Sequence, residues 1–378
     1  MTKSCDKKYR VGFIGCGFKA THHARAYQLN PRTEIVAAAD PDPDNLELFC
    51  NRFGLTSGYK SYEDMLDKEQ IDIAAPILPA SVNPDAVVAC AQAGVKAIFC
   101  EKPIAAKLSD ADKMVEECRI RGIRFASGDA MRNFPQLWQA REMIEAGEIG
   151  TVHSINVYEP TSEISGGGCQ SINVMRMFAG DSNVEWVVGW VAQNPFMDDD
   201  QAMGGCIHFT NGIEAFLHYQ PTPKKGVEVL GSTGIFYVHD NYSLHLWKLE
   251  DPGRQRAWRE LKEEEGLFAN TGHGDDDVDR PLDKNGIQLP GLRTTSSVQA
   301  IVDSLDNNIN PLCTGDDMRK ALEIGIALRE SHRRGHAPIK MPLEDRSLTL
   351  VPRKNRWFNK KEVYGEKWYN TQISNTYR

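Results

Sequence analysis

The chain has 378 residues, 41% of them hydrophobic and 25% charged, with a formal net charge of −8 at pH 7. That length accommodates about two domains with sizeable cores, in the balance of an ordinary soluble globular protein. The acidic charge removes the electrostatic case for a nucleic-acid partner, and no window approaches the ~20 apolar residues of a membrane span.

The first residues, MTKSCDKKYR, are polar and hold no apolar signal core. Nine cysteines are scattered, odd in number, and form no C-x-x-C pair. Several lie in apolar runs such as AIFCEKP, the pattern expected of buried, reduced thiols in a cytoplasmic protein. No His, Cys and carboxylate residues fall at metal-ligand spacing, so no metal is expected.

The first 150 residues alternate short apolar runs with helical patterns. YRVGFIG, EIVAAAD, IDIAAPIL, KAIFCEK and IRFASGD read as strands. FKATHHARAYQLN, NLELFCNRFG, YEDMLDKE, PDAVVACAQAG and DADKMVEECRIRG read as the helices between them. Continuous apolar strands separated by helices mean a parallel sheet covered on both faces. Asp44 and Ser109 are expected to cap helix starts, and Gly94 and Gly122 to end helices.

VGFIGCGFKATHHA, residues 11–24, joins the first strand to the first helix. A lone G-x-G-x-x-[GA] recurs by chance, but here a strand precedes it, a helix follows, and an acid closes the next strand. Gly15 permits the tight turn, Gly17 the close approach of a pyrophosphate, and Ala20 close helix packing, with helix N–H groups facing the phosphates. Asp40 stands 25 residues after Gly15, where a carboxylate can accept both ribose hydroxyls. Pro41 follows it rather than an Arg able to hold a 2′-phosphate, so NAD is favoured over NADP. Phe18 and Pro79 complete the expected cofactor set on this stretch and on the strand that follows.

After PQLWQAREMIEAGEIG the rhythm changes. VHSINVYE, EWVVGWVAQ, GGCIHFTNG, EAFLHYQ, GVEVLG and GIFYVHD follow one another with turns and few helices, the signature of a mostly antiparallel sheet. Two helices are expected at 297–307 and 317–334. The reading divides the chain into a nucleotide-binding domain at 1–130, with a connecting helix to about 149, a second domain at 150–345, and a basic, aromatic arm at 346–378. Residues 270–293, rich in Gly, Asp and Pro, form a long loop of the kind that serves as a lid or is disordered. The arm, where basic residues interleave with Trp357, Phe358, Tyr364, Trp368 and Tyr369, is expected to pack on the body or on a neighbouring subunit rather than on nucleic acid.

CEKP at 100–103, together with Gly15-x-Gly17-x-x-Ala20, closely resembles the Gfo/Idh/MocA oxidoreductases, the glucose–fructose oxidoreductase and inositol dehydrogenase group. ACAQAG, LSDADKMVEECRIRGIRFASGDAMRNFP, AREMIEAGEIGTVHSI and the stretch 301–343 are similar to later parts of that family. The resemblance implies an α/β chain: an N-terminal Rossmann domain and a C-terminal α+β domain built on an open, mostly antiparallel sheet. It also implies a small polyhydroxylated substrate at the nicotinamide between them, and a homodimer or homotetramer formed through the open sheet. Glu101 and Lys102 are implied on the substrate side of the nicotinamide, with Pro103 fixing the bend that aims them, in this family often through a cis bond.

The sequence departs from the family where members carry an Asp and a His four residues apart on a helix of the second domain. Aligned from the end of GGGCQSINVMRMFAG, those positions hold Gly166 and Gln170, and a following Asp position holds Asn173. The other register places Ile172 and Arg176 there. Neither supplies the pair. Hydride removal from a carbinol leaves a proton on oxygen that a positioned base must accept. Gln170 can hydrogen-bond a hydroxyl but cannot take its proton, which leaves Lys102: a positive nicotinamide and partial burial both favour its neutral form. Lys102 is therefore the expected acid/base, with Gln170 and Asn173 orienting hydroxyls; its plain alternative is an ion pair with Glu101.

Arg132 and Asn133 follow the last Rossmann strand, where ligands bind at strand carboxyl ends; Arg132 serves either a substrate or an ion pair between domains. Glu159 is a weaker substrate candidate, and His273 in the acidic loop could close over a substrate. His22 and His23 fall on the first helix near the cofactor phosphates, and His153, His208 and His218 in strands. The expected activity is hydride transfer between NAD(P) and a carbinol of a sugar, sugar acid or cyclitol. Two rivals remain: a redox-neutral enzyme that oxidises a sugar carbon transiently with bound NAD, and a non-catalytic dinucleotide sensor.

Overall fold

The computed structural model describes residues 8–128, 131–158, 163–220, 223–239, 244–249, 258–260 and 292–377. The first part of the chain runs β1 (Tyr9–Ile14), α1 (Phe18–Leu29), β2 (Thr33–Ala39), α2 (Pro43–Phe53), β3 (Gly58–Tyr59) and α3 (Tyr62–Lys68). It continues through β4 (Ile73–Pro76), α4 (Asn83–Gln92), β5 (Ala97–Cys100), α5 (Leu108–Ile120) and β6 (Arg124–Ser127). Next come α6 (Pro135–Glu145), β7 (Val152–Tyr158), a π turn at Ile164–Gly168, and α7 (Cys169–Phe178). Then follow β8 (Val184–Val191), β9 (Met203–Phe209), β10 (Glu214–His218), β11 (Gly226–Gly231), β12 (Gly234–His239), β13 (Leu244–Leu249) and β14 (Trp258–Glu260). The chain closes with α8 (Leu292–Asn307), α9 (Gly315–Arg333), β15 (Ile339–Lys340), α10 (Lys354–Trp357), α11 (Lys360–Tyr364) and α12 (Glu366–Tyr377).

These elements form two compact units. The first comprises Met1–Asn133, Asp277–Arg319 and Pro352–Arg378; the second comprises Phe134–Asp276 and Lys320–Val351.

In the first unit a six-stranded sheet has the order β3-β2-β1-β4-β5-β6, with every ladder parallel. β4 and β5 are buried along their whole length, which is why they read as unbroken apolar runs. The strand order is that of dinucleotide-binding folds, where ligands sit at strand carboxyl ends. Phe13 of β1 meets Tyr27 of α1 edge-on, with ring centroids 5.5 Å apart. Phe49 and Phe99 complete that core.

Two expected caps are corrected. Asp42, not Asp44, caps α2: its side chain accepts from the backbone N–H groups of Asp44 and Asn45, and Pro43 takes the first helical position, where a missing N–H costs nothing. Ser109 lies inside α5, whose flanking residue is the extended Lys107. Gly94 and Gly122 do end their helices, each with positive φ.

The units also divide the chain differently from boundaries at 150 and 345. α8 belongs with the first sheet because Val298 and Ile301 complete its core. Asp306 of α8 accepts from the Tyr9 hydroxyl at 2.7 Å and pairs with Arg32 at 2.6 Å. Of the arm expected at 346–378, Pro352–Arg378 belongs to the first unit, the first of its two expected packing places.

The second unit holds a nine-stranded sheet in the order β14-β13-β12-β11-β7-β10-β9-β8-β15. β7 and β10 pair in parallel and the other ladders are antiparallel. β8 and β11 alternate buried with more exposed residues, the mark of a sheet packed on one face. β13, β14 and β15 add strands that the sequence reading did not propose. Among the described residues no helix is long and apolar enough to cross a membrane.

Candidate functional site

The site grows from the carboxyl ends of β1, β2, β4 and β5. After Ile14 the chain turns at Gly15, whose φ is +89°; a Cβ there would stand 2.7 Å from the Ile77 carbonyl oxygen. Any side chain would meet both steric strain and backbone, so glycine is required. Gly17 flanks α1 with extended geometry and no side-chain cap, and the first turn of α1 carries no acid. The first-turn N–H groups of a helix have no intrahelical partner, and the helix dipole adds positive potential there. An anion fits that end. Ala20 is buried in the core under the turn.

Asp40 sits just beyond the end of β2. One carboxylate oxygen accepts from the backbone N–H of Cys16 at 2.7 Å and the other from that of Asp42 at 2.8 Å. The carboxylate thus ties the glycine turn to the neighbouring strand. Burial raises its pKa, and the two backbone donors act against that rise. Each oxygen keeps a lone pair for a further donor.

Beyond β5, Glu101 anchors its main chain on the Pro76 carbonyl. Asn83 donates to the carbonyls of Glu101 and Pro103, at 3.2 and 3.1 Å, across the cis Lys102–Pro103 peptide. The Glu101 side chain accepts from, or pairs with, His23 Nε2 at 3.1 Å. Burial opposes ionisation of Glu101. The His23 bond and the charges of His23, Lys19 and Lys102 outweigh it and hold the carboxyl at about 2. His23, expected on the first helix near the phosphates, is engaged with Glu101.

A cavity of about 550 Å3 joins these groups. Gly15, Gly17, Phe18 and Ala20 line it from the first turn, and Asp40, Pro79, Glu101 and Lys102 from the following strand ends. Residues 60–63 and the C-terminal segment, including Arg356, Trp357, Lys360 and Tyr369, add further wall. Three bonds fasten that segment. The Ala80 N–H donates to the Arg356 carbonyl at 2.9 Å, the Ser81 hydroxyl to the Trp357 carbonyl at 2.6 Å, and Lys361 to Asp42 at 3.0 Å. Sequence reading noted the aromatic and basic composition of this arm but not its target. No spacing within the arm points to the glycine turn.

The other expected residues lie elsewhere. Arg132, 4% exposed, donates to the Leu312 carbonyl at 3.1 Å and lies 3.5 Å from Asp317. Asn133, 2% exposed, donates to the Ser127 carbonyl at 3.2 Å. Both bonds hold the turn after β6, and the Arg132 ion pair is with Asp317, which belongs to the same unit. Gln170 is half-buried on α7 of the second unit. Asn173 is fully buried there and accepts from Arg176 at 3.2 Å. Gly166 falls in the π turn, which Asp200 pins by accepting from the backbone N–H groups of Ile164 and Ser165. Glu159 and His273 lie outside the described residues, as does most of the loop at 270–293.

The model of an oxidoreductase family with an NAD-binding Rossmann fold matches residues 9–128. D-apiose dehydrogenase of Paraburkholderia graminis is 33% identical over 150 residues, 40% of this chain and 40% of that enzyme. With that enzyme the chain therefore shares about two fifths of the relative's length. The dTDP-3,4-didehydro-2,6-dideoxy-alpha-D-glucose 3-reductase of Actinomadura kijaniata is 30% identical over 251 residues, 61% of this chain and 74% of that one. An oxidoreductase from Agrobacterium radiobacter, solved with NAD+, L-tartaric acid and magnesium, superposes with a TM-score of 0.71 at 18% identity. That superposition covers 88% of this chain and 98% of the other, and it speaks for the fold. The glycine turn, the Glu101-Lys102-Pro103 bend and the full-length fold agree with these matches: the chain belongs to the Gfo/Idh/MocA family of oxidoreductases.

Proposed function

We propose that the protein transfers a hydride between NAD(H) and a carbinol of a sugar, sugar acid or cyclitol. The observation that carries this reading is the single cavity holding the glycine turn, Asp40 and Lys102. The turn and the uncapped start of α1 fit a pyrophosphate, and the carboxylate of Asp40 fits ribose hydroxyls. A 2′-phosphate would face that carboxylate, which favours NAD over NADP. The dinucleotide supplies the hydride acceptor or donor. Lys102 accepts the hydroxyl proton as the carbinol is oxidised and returns it in reduction. Glu101, held ionised by His23, keeps negative charge beside that ammonium. The apiose and dTDP-sugar enzymes among the relatives support a carbohydrate substrate. We assign the exposed face of the nine-stranded sheet to association with further copies of the chain.

The test is turnover with NAD+ against a panel of sugars, sugar acids and cyclitols, comparing wild type with Lys102→Met. Loss of an acid/base group lowers turnover roughly 10²- to 10⁴-fold, while NAD+ still binds the variant. An active Lys102→Met enzyme removes the lysine from the chemistry. One feature favours a second reading: α7 carries neither a carboxylate nor an imidazole. A dinucleotide-binding sensor would bind NAD+ and turn over no member of the panel.

A further inference from the structure

We infer that Lys360 is a phosphate ligand of the dinucleotide, delivered by the C-terminal segment, and that residues 352–369 form a clasp across the cofactor. The inference rests on the reading of the cavity as a dinucleotide site.

Three observations converge. The Lys360 ammonium lies 3.8 Å from the centroid of the Phe18 ring, at the residue that opens α1, where helix N–H groups and dipole already favour an anion. Among the described residues, no carboxylate lies within ion-pair distance of it. Lys19 of α1, Lys102 after β5 and Arg356 of α10 all repel its charge, and Glu101 is the carboxylate that attracts it. That carboxylate is already bonded to His23. The Lys360 ammonium, half-buried among Lys19, Lys102 and Arg356 with no described carboxylate at ion-pair distance, is costly to keep charged unless an anion joins it. A dinucleotide pyrophosphate supplies two negative charges at the place where α1 begins, whereas a neutral sugar supplies none.

The backbone of the segment is anchored where this role requires. Ala80 and Ser81 hold the main chain of α10, and Lys361, the next residue, holds Asp42. On the far side Tyr369 is 3% exposed, and its hydroxyl stands 3.2 Å from where a Gly17 Cβ would be. The segment thus reaches the glycine turn from two directions, and a dinucleotide released from the cradle has to pass it.

Burial and the surrounding cations bring the Lys360 pKa down to about 7. A bound pyrophosphate favours the charged amine and raises that value. Binding therefore takes up a proton, and affinity falls as pH rises above about 7.

The experiment is calorimetric titration of NAD+ into the full-length protein between neutral and alkaline pH. It compares wild type with Lys360→Gln, Lys360→Arg and the exposed control Lys113→Gln on α5. Loss of a charge-assisted contact weakens binding at neutral pH roughly ten- to a hundredfold in Lys360→Gln and flattens the pH dependence. Lys360→Arg keeps the affinity and loses the alkaline decline, and Lys113→Gln matches wild type. Without cofactor, Lys360→Gln melts no lower than wild type, because a repelled cation has been removed. Wild-type binding matched by Lys360→Gln overturns the clasp and leaves the dinucleotide site standing. A wild type that binds neither NAD+ nor NADP+ overturns both.

Discussion

The two sheets differ in what their strands leave for chemistry. In the six-stranded sheet β4 and β5 are buried throughout, which leaves the strand ends to line the cavity that Gly15, Asp40 and Lys102 share. In the nine-stranded sheet β8 and β11 alternate between buried and more exposed positions. Trp186 stacks on His208 and Tyr158 on His218 across neighbouring strands of that sheet, both pairs at 4.8 Å. A parallel sheet concentrates its chemistry at one edge; an antiparallel sheet spreads its surface over a face. Substitutions at the strand ends of the first unit should alter NAD+ binding, and equally severe ones on the buried face of the second sheet should alter stability and leave that binding unchanged.

Gly15→Val should have the largest effect. It places a branched side chain at positive φ and against a carbonyl oxygen. It should cost ~3 kcal/mol of stability and abolish measurable NAD+ binding, as read by denaturant unfolding and calorimetry. Retained binding would separate the turn from the site.

Glu101 gives the next effect, through pH. Its folded pKa is about 2, below the ordinary 4.5, so its ionised form stabilises the fold. That contribution is complete above about pH 5 and is lost as pH falls toward 2. It amounts to about 3 kcal/mol by linkage. Unfolding titrations across that window should show a steeper acid loss in wild type than in Glu101→Gln. Parallel curves would remove the His23–Glu101 pair from the account.

Gly189→Ala sharpens the comparison from the other side. A Cβ on β8 would stand 2.4 Å from the Leu328 carbonyl oxygen of α9, within the second unit. Overpacking of this kind costs ~1–3 kcal/mol. Thermal unfolding should report that loss while NAD+ affinity stays at the wild-type value.

Sequence and structure agree most where a signal is local. The run VGFIG, the glycine spacing and the acid closing EIVAAAD each lie within a few residues of the feature they encode, and they end at one cavity. The second sheet was legible strand by strand, from the alternation in VHSINVYE or GIFYVHD, but not in its edges. β15 is two residues long and carries too little pattern to register. Long-range placement was opaque for a physical reason: burial of Val298 and Ile301 in the first core depends on residues between Val11 and Ala126, at least 172 positions away (298 − 126). The same holds for Lys360 over Phe18. The position of Arg132 and Asn133 after a Rossmann strand was legible, but their bonds to the Leu312 and Ser127 carbonyls were not, because the Leu312 partner lies far along the chain.

A crystal structure of the NAD+ complex tests the central claim most directly. The account predicts the pyrophosphate across the Gly15–Ala20 turn, ribose hydroxyls on Asp40, and the nicotinamide beside the Lys102 amine. A dinucleotide bound elsewhere, or a Lys102 side chain directed away from the ring into solvent, would contradict it.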